Sequence, residues 1–122
     1  MRIAARLSAK RHQYARREPR DIAEGRIKIY IFAKFQVLAG TEGEAGTALE
    51  EVLGPTRDEP GCLSIHAFRA LRDGSLFYIH SKGRDEQAFE IHARRPHTVR
   101  FRERLEACID HPFEVTRTQQ IG

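Results

Sequence analysis

Between residues 27 and 37 the chain reads IKIYIFAKFQV, and its apolar positions recur at every second residue. Ile29, Ile31, Ala33, Phe35 and Val37 share one face, as alternate side chains of a strand must. Tyr30 and Phe32 fall on the other face, so one end of this strand is expected to be buried on both sides. The period then lengthens. Ala45, Ala48, Leu49, Val52, Leu53 and Thr56 follow the i, i+3, i+4, i+7, i+8, i+11 spacing of one helix face. Thr41 with Glu44 three residues on reads as a capping box that opens this helix near residue 42. Pro55, which lacks an N–H, is expected to kink the last turn, and Pro60-Gly61 ends the segment. Two strands, Cys62–Leu71 and Leu76–Lys82, flank Asp73-Gly74, a pair that favours a two-residue type I′ hairpin. A second helical region begins near Asp85, with Ala88, Phe89, His92 and Ala93 on one face. Pro96 interrupts it, and His97, Phe101, Leu105, Cys108 and Ile109 resume the stripe. Phe113–Gln119 reads as a last strand. The order β-α-β-β-α-β predicts a ferredoxin-like α+β fold, an antiparallel sheet with two helices on one face.

With 122 residues, 40% of them hydrophobic and 31% charged, the chain suits one globular core. No apolar run reaches the roughly 20 residues of a spanning helix, so no membrane span is expected. The net charge of +4 is unevenly spread. Residues 1–26 carry eight Lys/Arg against three Asp/Glu, whereas residues 27–122 carry thirteen against fourteen. The basic character therefore belongs to an N-terminal extension, and a nearly neutral body argues against a nucleic-acid partner. The extension reads as a dispensable or partner-clasping arm, an adventitious start upstream of the natural one, or a targeting or anchoring segment. Two cysteines without metal-type spacing suggest neither a disulfide framework nor a zinc module, which makes a reducing, cytoplasmic setting the expectation.

Particular residues narrow the fold further. The first strand closes on Gly40, PTRDEPGCL occupies Pro55–Leu63, and DEQAFEIHARRPH occupies Asp85–His97. These segments and the hairpin between them resemble the antibiotic biosynthesis monooxygenase family over residues 28–119. Members of that family typically show a Thr-Arg-x-Glu-Pro-Gly-Cys turn and an Ala-Phe-x-x-His-x-x-x-Pro-His stretch. The resemblance implies a homodimer whose sheets pack together as a dimeric α+β barrel, with a cavity between sheet and helices in each subunit. It also implies oxidation of an electron-rich hydroxylated aromatic to a quinone by O2, with no cofactor. Two positions depart from the pattern: Ser81 and Gly83 stand where many relatives have Glu-x-Trp. The positions of the haem-contacting Asn, Trp and His of haem-degrading relatives hold Ala33, Gly83 and Arg102, so haem degradation is not carried over.

A two-residue loop at Asp73-Gly74 would pair Phe68 with Ile79 and His66 with Ser81, and opposed residues share a face. Cys62, Ser64, His66, Phe68, Phe77, Ile79, Ser81 and Gly83 would then face the helices. Leu63, Ile65, Ala67, Tyr78 and His80 would meet the partner sheet. A slip of one residue reverses the assignment. On this register the catalytic candidates are His66, His92 and His97, and a near-neutral histidine is suited to removing a phenolic proton. Ala33, Phe35, Ser64, Phe68, Ile79, Ser81, Gly83 and Phe89 are expected to bind a small aromatic, quinol-like ligand, with extra room at Gly83. Each histidine also has a structural alternative, as a satisfied group on an apolar face or, for His97, as a cap. No metal site is expected. His92 and His97 are five apart, about 140° around a helix, and only the break at Pro96 could join them. Cys62 and His66 lie about 13 Å apart along a strand, too far for a nucleophile and its base. Beside the monooxygenase reading stand two others: an isomerase or other acid–base enzyme on a small carbonyl compound, and a non-catalytic ligand-binding dimeric module.

Overall fold

The computed structural model describes residues 27–122, so the basic extension 1–26 lies outside the described residues. Seven elements follow in order: β1 (Ile29–Gln36), α1 (Glu42–Arg57), β2 (Cys62–Arg69), β3 (Leu76–Gly83), α2 (Glu86–Arg94), α3 (Pro96–Glu106) and β4 (Glu114–Thr118). The four strands form one antiparallel sheet in the order β2-β3-β1-β4, which is the ferredoxin-like arrangement. β1 lies in the middle because its alternation leaves it the most apolar strand. Ile29, Ile31, Ala33 and Phe35 are buried on the helix side, and the core continues through Ala45, Ala48, Leu49 and Val52 of α1 and Phe101 and Leu105 of α3. The Phe35 ring stacks on Phe77 at 5.4 Å and on Phe113 at 4.8 Å, closing the core at the β4 end. Burial of each such side chain is worth about 1.5–3 kcal/mol. Among the described residues no helix is long and apolar enough to cross a membrane.

Two local expectations change. The helix opens at Glu42, but no capping box forms: the Thr41 hydroxyl donates to Leu38 O, and Glu42 accepts from the Gly40 N–H. Gly40, at φ +90°, supplies the reversal that lets Glu42 reach back. Glu44 turns outward to Arg104 instead. The helix runs through Pro55 to Arg57.

The second change matters most. Asp73-Gly74 makes no type I′ turn, since Gly74 has no positive φ. The Asp73 carboxylate accepts from both the N–H and the hydroxyl of Ser75, and the ladder closes at Ala70 N–H to Leu76 O. The loop is therefore 71–75, because an aspartate bonding two residues on prefers this local turn to a tight hairpin. The register moves by one residue: Ile65 opposes Ser81, His66 opposes His80, Ala67 opposes Ile79 and Phe68 opposes Tyr78. Every β2 side chain from Ser64 onward exchanges faces with respect to the expectation. Ile65 is buried against the helices, while His66 and Phe68 are exposed on the open face. A bulge between Cys62 and Ser64 returns Cys62 to the helix side.

Candidate active site

The turn 58–61 is where chemistry gathers, and Gly61 is the reason it can. A Cβ on Gly61 would stand 2.4 Å from Ala88 Cβ, so only glycine lets this turn lie against the first turn of α2. Gly61 O accepts from Arg84 N–H at 2.9 Å, which ties the turn to the end of β3. On the other side Asp85 caps α2, accepting from Ala88 N–H at 2.7 Å, and this sets the helix rotation that points Phe89 and His92 inward. Arg95 is extended (φ −64°, ψ 144°), as the residue before a proline prefers. The chain turns there, and Pro96 starts α3 with His97 one residue on. His97 thus comes back beside His92, their ring centroids 6.2 Å apart.

Both rings converge on one atom. Glu59 Oε2 lies 2.8 Å from His92 Nδ1 and 2.8 Å from His97 Nε2. The Glu59 side chain is only 8% exposed, against 24% for His92 and 15% for His97. A carboxylate only accepts, so both ring nitrogens donate to it. The network thereby assigns the tautomers: the proton of neutral His92 sits on Nδ1, and Nε2 keeps its lone pair. The Thr98 hydroxyl stands 3.3 Å from the same Nδ1. Arg95 Nε is 3.7 Å from Glu59 Oε1, beyond hydrogen-bonding distance but near enough for charge attraction.

Chemically the trio can act as a base oriented by a buried anion. It can also offer three donor atoms, all within 4.8 Å of one another, to a divalent cation of the kind that two histidines and one carboxylate hold. The Arg95 guanidinium already neutralises the carboxylate and weakens that second role. Sequence reading missed Glu59 because a single acidic residue in a turn carries no spacing signal. The signal that could have found it is the glycine two residues later, whose lack of a side chain marks a close approach to a helix.

His92 borders a cavity between sheet and helices with two adjoining lobes. The larger, about 140 Å³, runs beneath α2 and α3 toward Phe101, Phe113 and Arg102. The smaller, about 40 Å³, reaches Glu59, Cys62 and Gly83. Ile31, Thr56, Ile65, Ser81, Phe89 and His92 border both. Thr56, from the last turn of α1, is 3% exposed, and its hydroxyl finds no hydrogen-bond partner among the described residues. Leaving a buried hydroxyl unpaired costs about 1–3 kcal/mol.

Of the residues singled out in the sequence, Ala33, Ile79, Ser81, Phe89 and His92 line the larger lobe, and Gly83 lines the smaller. His97 sits behind His92 on Glu59. His66, Ser64 and Phe68 are on the opposite face, a consequence of the longer β2–β3 loop, and Phe35 is sealed in the core. His66 therefore does not meet Ser81 or His92. The room expected at Gly83 is taken by Ile29, whose Cγ2 lies 3.0 Å from where a Cβ would be. Cys62 does face inward, but burial and then the nearby Glu59 push its thiol up, opposite to what a nucleophile needs. Cys108 is core.

The comparisons agree with this architecture. The family model described as antibiotic biosynthesis monooxygenase matches residues 28–104, well over half of the chain. Among solved structures, a conserved protein from Methanosarcina mazei Go1 is 20% identical with a TM-score of 0.73, covering 80% of this chain and 97% of that one. A protein from Pseudomonas aeruginosa is 24% identical with a TM-score of 0.72, covering 77% and 94%. A structure described as an antibiotic biosynthesis monooxygenase is 21% identical with a TM-score of 0.72, covering 75% and 97%. No curated protein matches in sequence. The family model spans the Glu59 turn, both histidines and three of the four strands, and the chain belongs to the antibiotic biosynthesis monooxygenase family.

Proposed function

We propose that the protein is a monooxygenase that oxidises a small quinol or other hydroxylated aromatic with O2, and that His92 is its base. The observation carrying this reading is the sharing of Glu59 Oε2 between His92 and His97, which leaves His92 Nε2 as an acceptor at the edge of a mostly apolar cavity. His92 takes the phenolic proton, and Glu59 stabilises the imidazolium that results, as a buried carboxylate does beside a catalytic histidine. The electron-rich phenolate then supplies electrons to O2. The ring loses the hydrogens of one C–H and of its O–H, and the phenolic oxygen becomes one carbonyl. One atom of O2 becomes the other carbonyl, and the second atom of O2 leaves with the two hydrogens as water. All the electrons come from the substrate, so the chemistry calls for no cofactor. Ile31, Ile65 and Phe89 keep the cavity apolar, which suits both the ring and O2.

Oxygen uptake with a panel of hydroquinones and polyphenols tests the reading. His92→Gln is expected to lower kcat by about 10²-fold or more, the usual contribution of a general base. Glu59→Gln should lower kcat with little change in KM, because it disturbs the orientation of His92 and leaves the apolar walls intact. No uptake above buffer at saturating quinol, from folded protein that binds the quinol, would sink the proposal. An acid–base reaction on a carbonyl compound would use the same histidine but consume no O2.

The open sheet face supports a homodimer. Phe32 and Phe68 are each about half exposed, at 52% and 53%, and Tyr78, which opposes Phe68, joins them. The Phe32 ring leans on His80 at 4.7 Å in the same patch. A monomer rarely leaves so many neighbouring large apolar side chains in water. A second copy, sheet against sheet, would cover them, and a cytoplasmic dimer is part of this reading.

A further inference from the structure

We propose that Thr56 is the second polar contact of the ligand, and that the ligand is a single aromatic ring bearing two oxygens. The inference rests on the monooxygenase reading only for the contact at His92. Thr56 lies on the apolar stripe of α1 and borders both lobes of the cavity, as His92 does. Its hydroxyl is buried and has no partner among the described residues. A helical threonine can return its hydroxyl to a carbonyl three or four residues back, and this one does not. A buried donor left unpaired in a cavity wall is a site waiting for an acceptor. Its neighbours Ile31 and Ile65 are apolar and offer none from their side chains.

The size of the cavity limits what brings that acceptor. The larger lobe holds about 140 Å³, close to the roughly 150 Å³ engineered cavity that accepts one benzene. The smaller lobe adds only about 40 Å³ and ends against Gly83 and Ile29, so the space between sheet and helices favours one ring over two fused rings. A single ring placed between His92 and Thr56 satisfies both groups only if it carries an oxygen toward each. Hydroquinone and catechol have that pattern; phenol has half of it, and 1,4-dihydroxynaphthalene adds a second ring.

Calorimetric titration under anaerobic conditions separates binding from oxidation. The probes are hydroquinone, catechol, phenol and 1,4-dihydroxynaphthalene, against the full chain and its Thr56→Val and Thr56→Ser variants. Valine keeps the shape and removes the hydroxyl. We expect Thr56→Val to weaken hydroquinone or catechol roughly 3- to 10-fold, the value of one hydrogen bond, while phenol binding stays unchanged. Its Tm should hold or rise, since an unpaired buried hydroxyl is gone. Thr56→Ser should retain the affinity. Equal weakening of phenol, unchanged hydroquinone and catechol binding, tighter binding of the naphthalene, or no binding of any probe by the native protein overturns the proposal. Native protein that binds hydroquinone yet shows no oxygen uptake in air would defeat the monooxygenase reading and leave this one standing.

Discussion

Glu59, Gly61, His92 and His97 show how little of a site need be conspicuous one residue at a time. Glu59 looks like one more surface acid until the turn is packed, and Gly61 looks like ordinary turn punctuation. In the fold Gly61 is the contact that seats the turn on Ala88 and thereby delivers Glu59 to the two rings. Gly61→Ala is expected to force α2 and the turn apart and to destabilise the protein by about 1–3 kcal/mol, as overpacking does. Because the displaced turn carries Glu59, activity should fall by more than the loss of folded protein explains. Urea unfolding alongside oxygen uptake, normalised to folded fraction, checks both parts. Full activity per folded molecule would show that the turn does not need this contact.

At the scale of elements, the ends decide the geometry. Asp85 sets where α2 begins and hence which way Phe89 and His92 point, and its carboxylate is buried on the Ala88 N–H. Asp85→Ala should cost about 0.5–2 kcal/mol, the value of a lost N-cap, measured by thermal or urea denaturation. Asp85→Asn or Asp85→Ser should recover much of it, and no loss in the alanine variant would show that the cap is idle. Arg57 plays a comparable part at the other end of α1, donating to Ile65 O at 3.0 Å on β2, an edge strand. Helix periods, the strand alternation of β1 and the break at Pro96 were all readable from residue types, because each depends on neighbours within a few positions. The β2–β3 register was not. Asp73-Gly74 suits a tight hairpin in isolation, but Asp73 bonds to Ser75, and the loop that results carries Ser64, His66 and Phe68 to the far side of the sheet.

At the scale of the molecule, the open sheet face is where the proposed homodimer would form. Phe68 is over half exposed on it and belongs to none of the walls of the sheet–helix cavity. Phe68→Glu should therefore yield a folded monomer, read as a halved mass in light scattering with an unchanged circular dichroism spectrum. Native protein that is already monomeric at tens of micromolar would remove the homodimer from the account.

The fold class was legible in the chain, because alternation with period two and stripes with period 3.6 are local consequences of which side chains avoid water. So was the candidacy of His92 and His97, since both lie on an apolar stripe broken by a proline. Their partnership was not. Glu59 is 33 residues from His92 and 38 from His97 in sequence, and only packing at Gly61 and the extended Arg95 joins them. The exclusion of His66 likewise depends on one hydrogen-bonded loop, since a single residue of slip in a strand turns a cavity side chain into a surface one. Residue types dictated the elements; long-range contacts dictated which faces met, and those faces make the site.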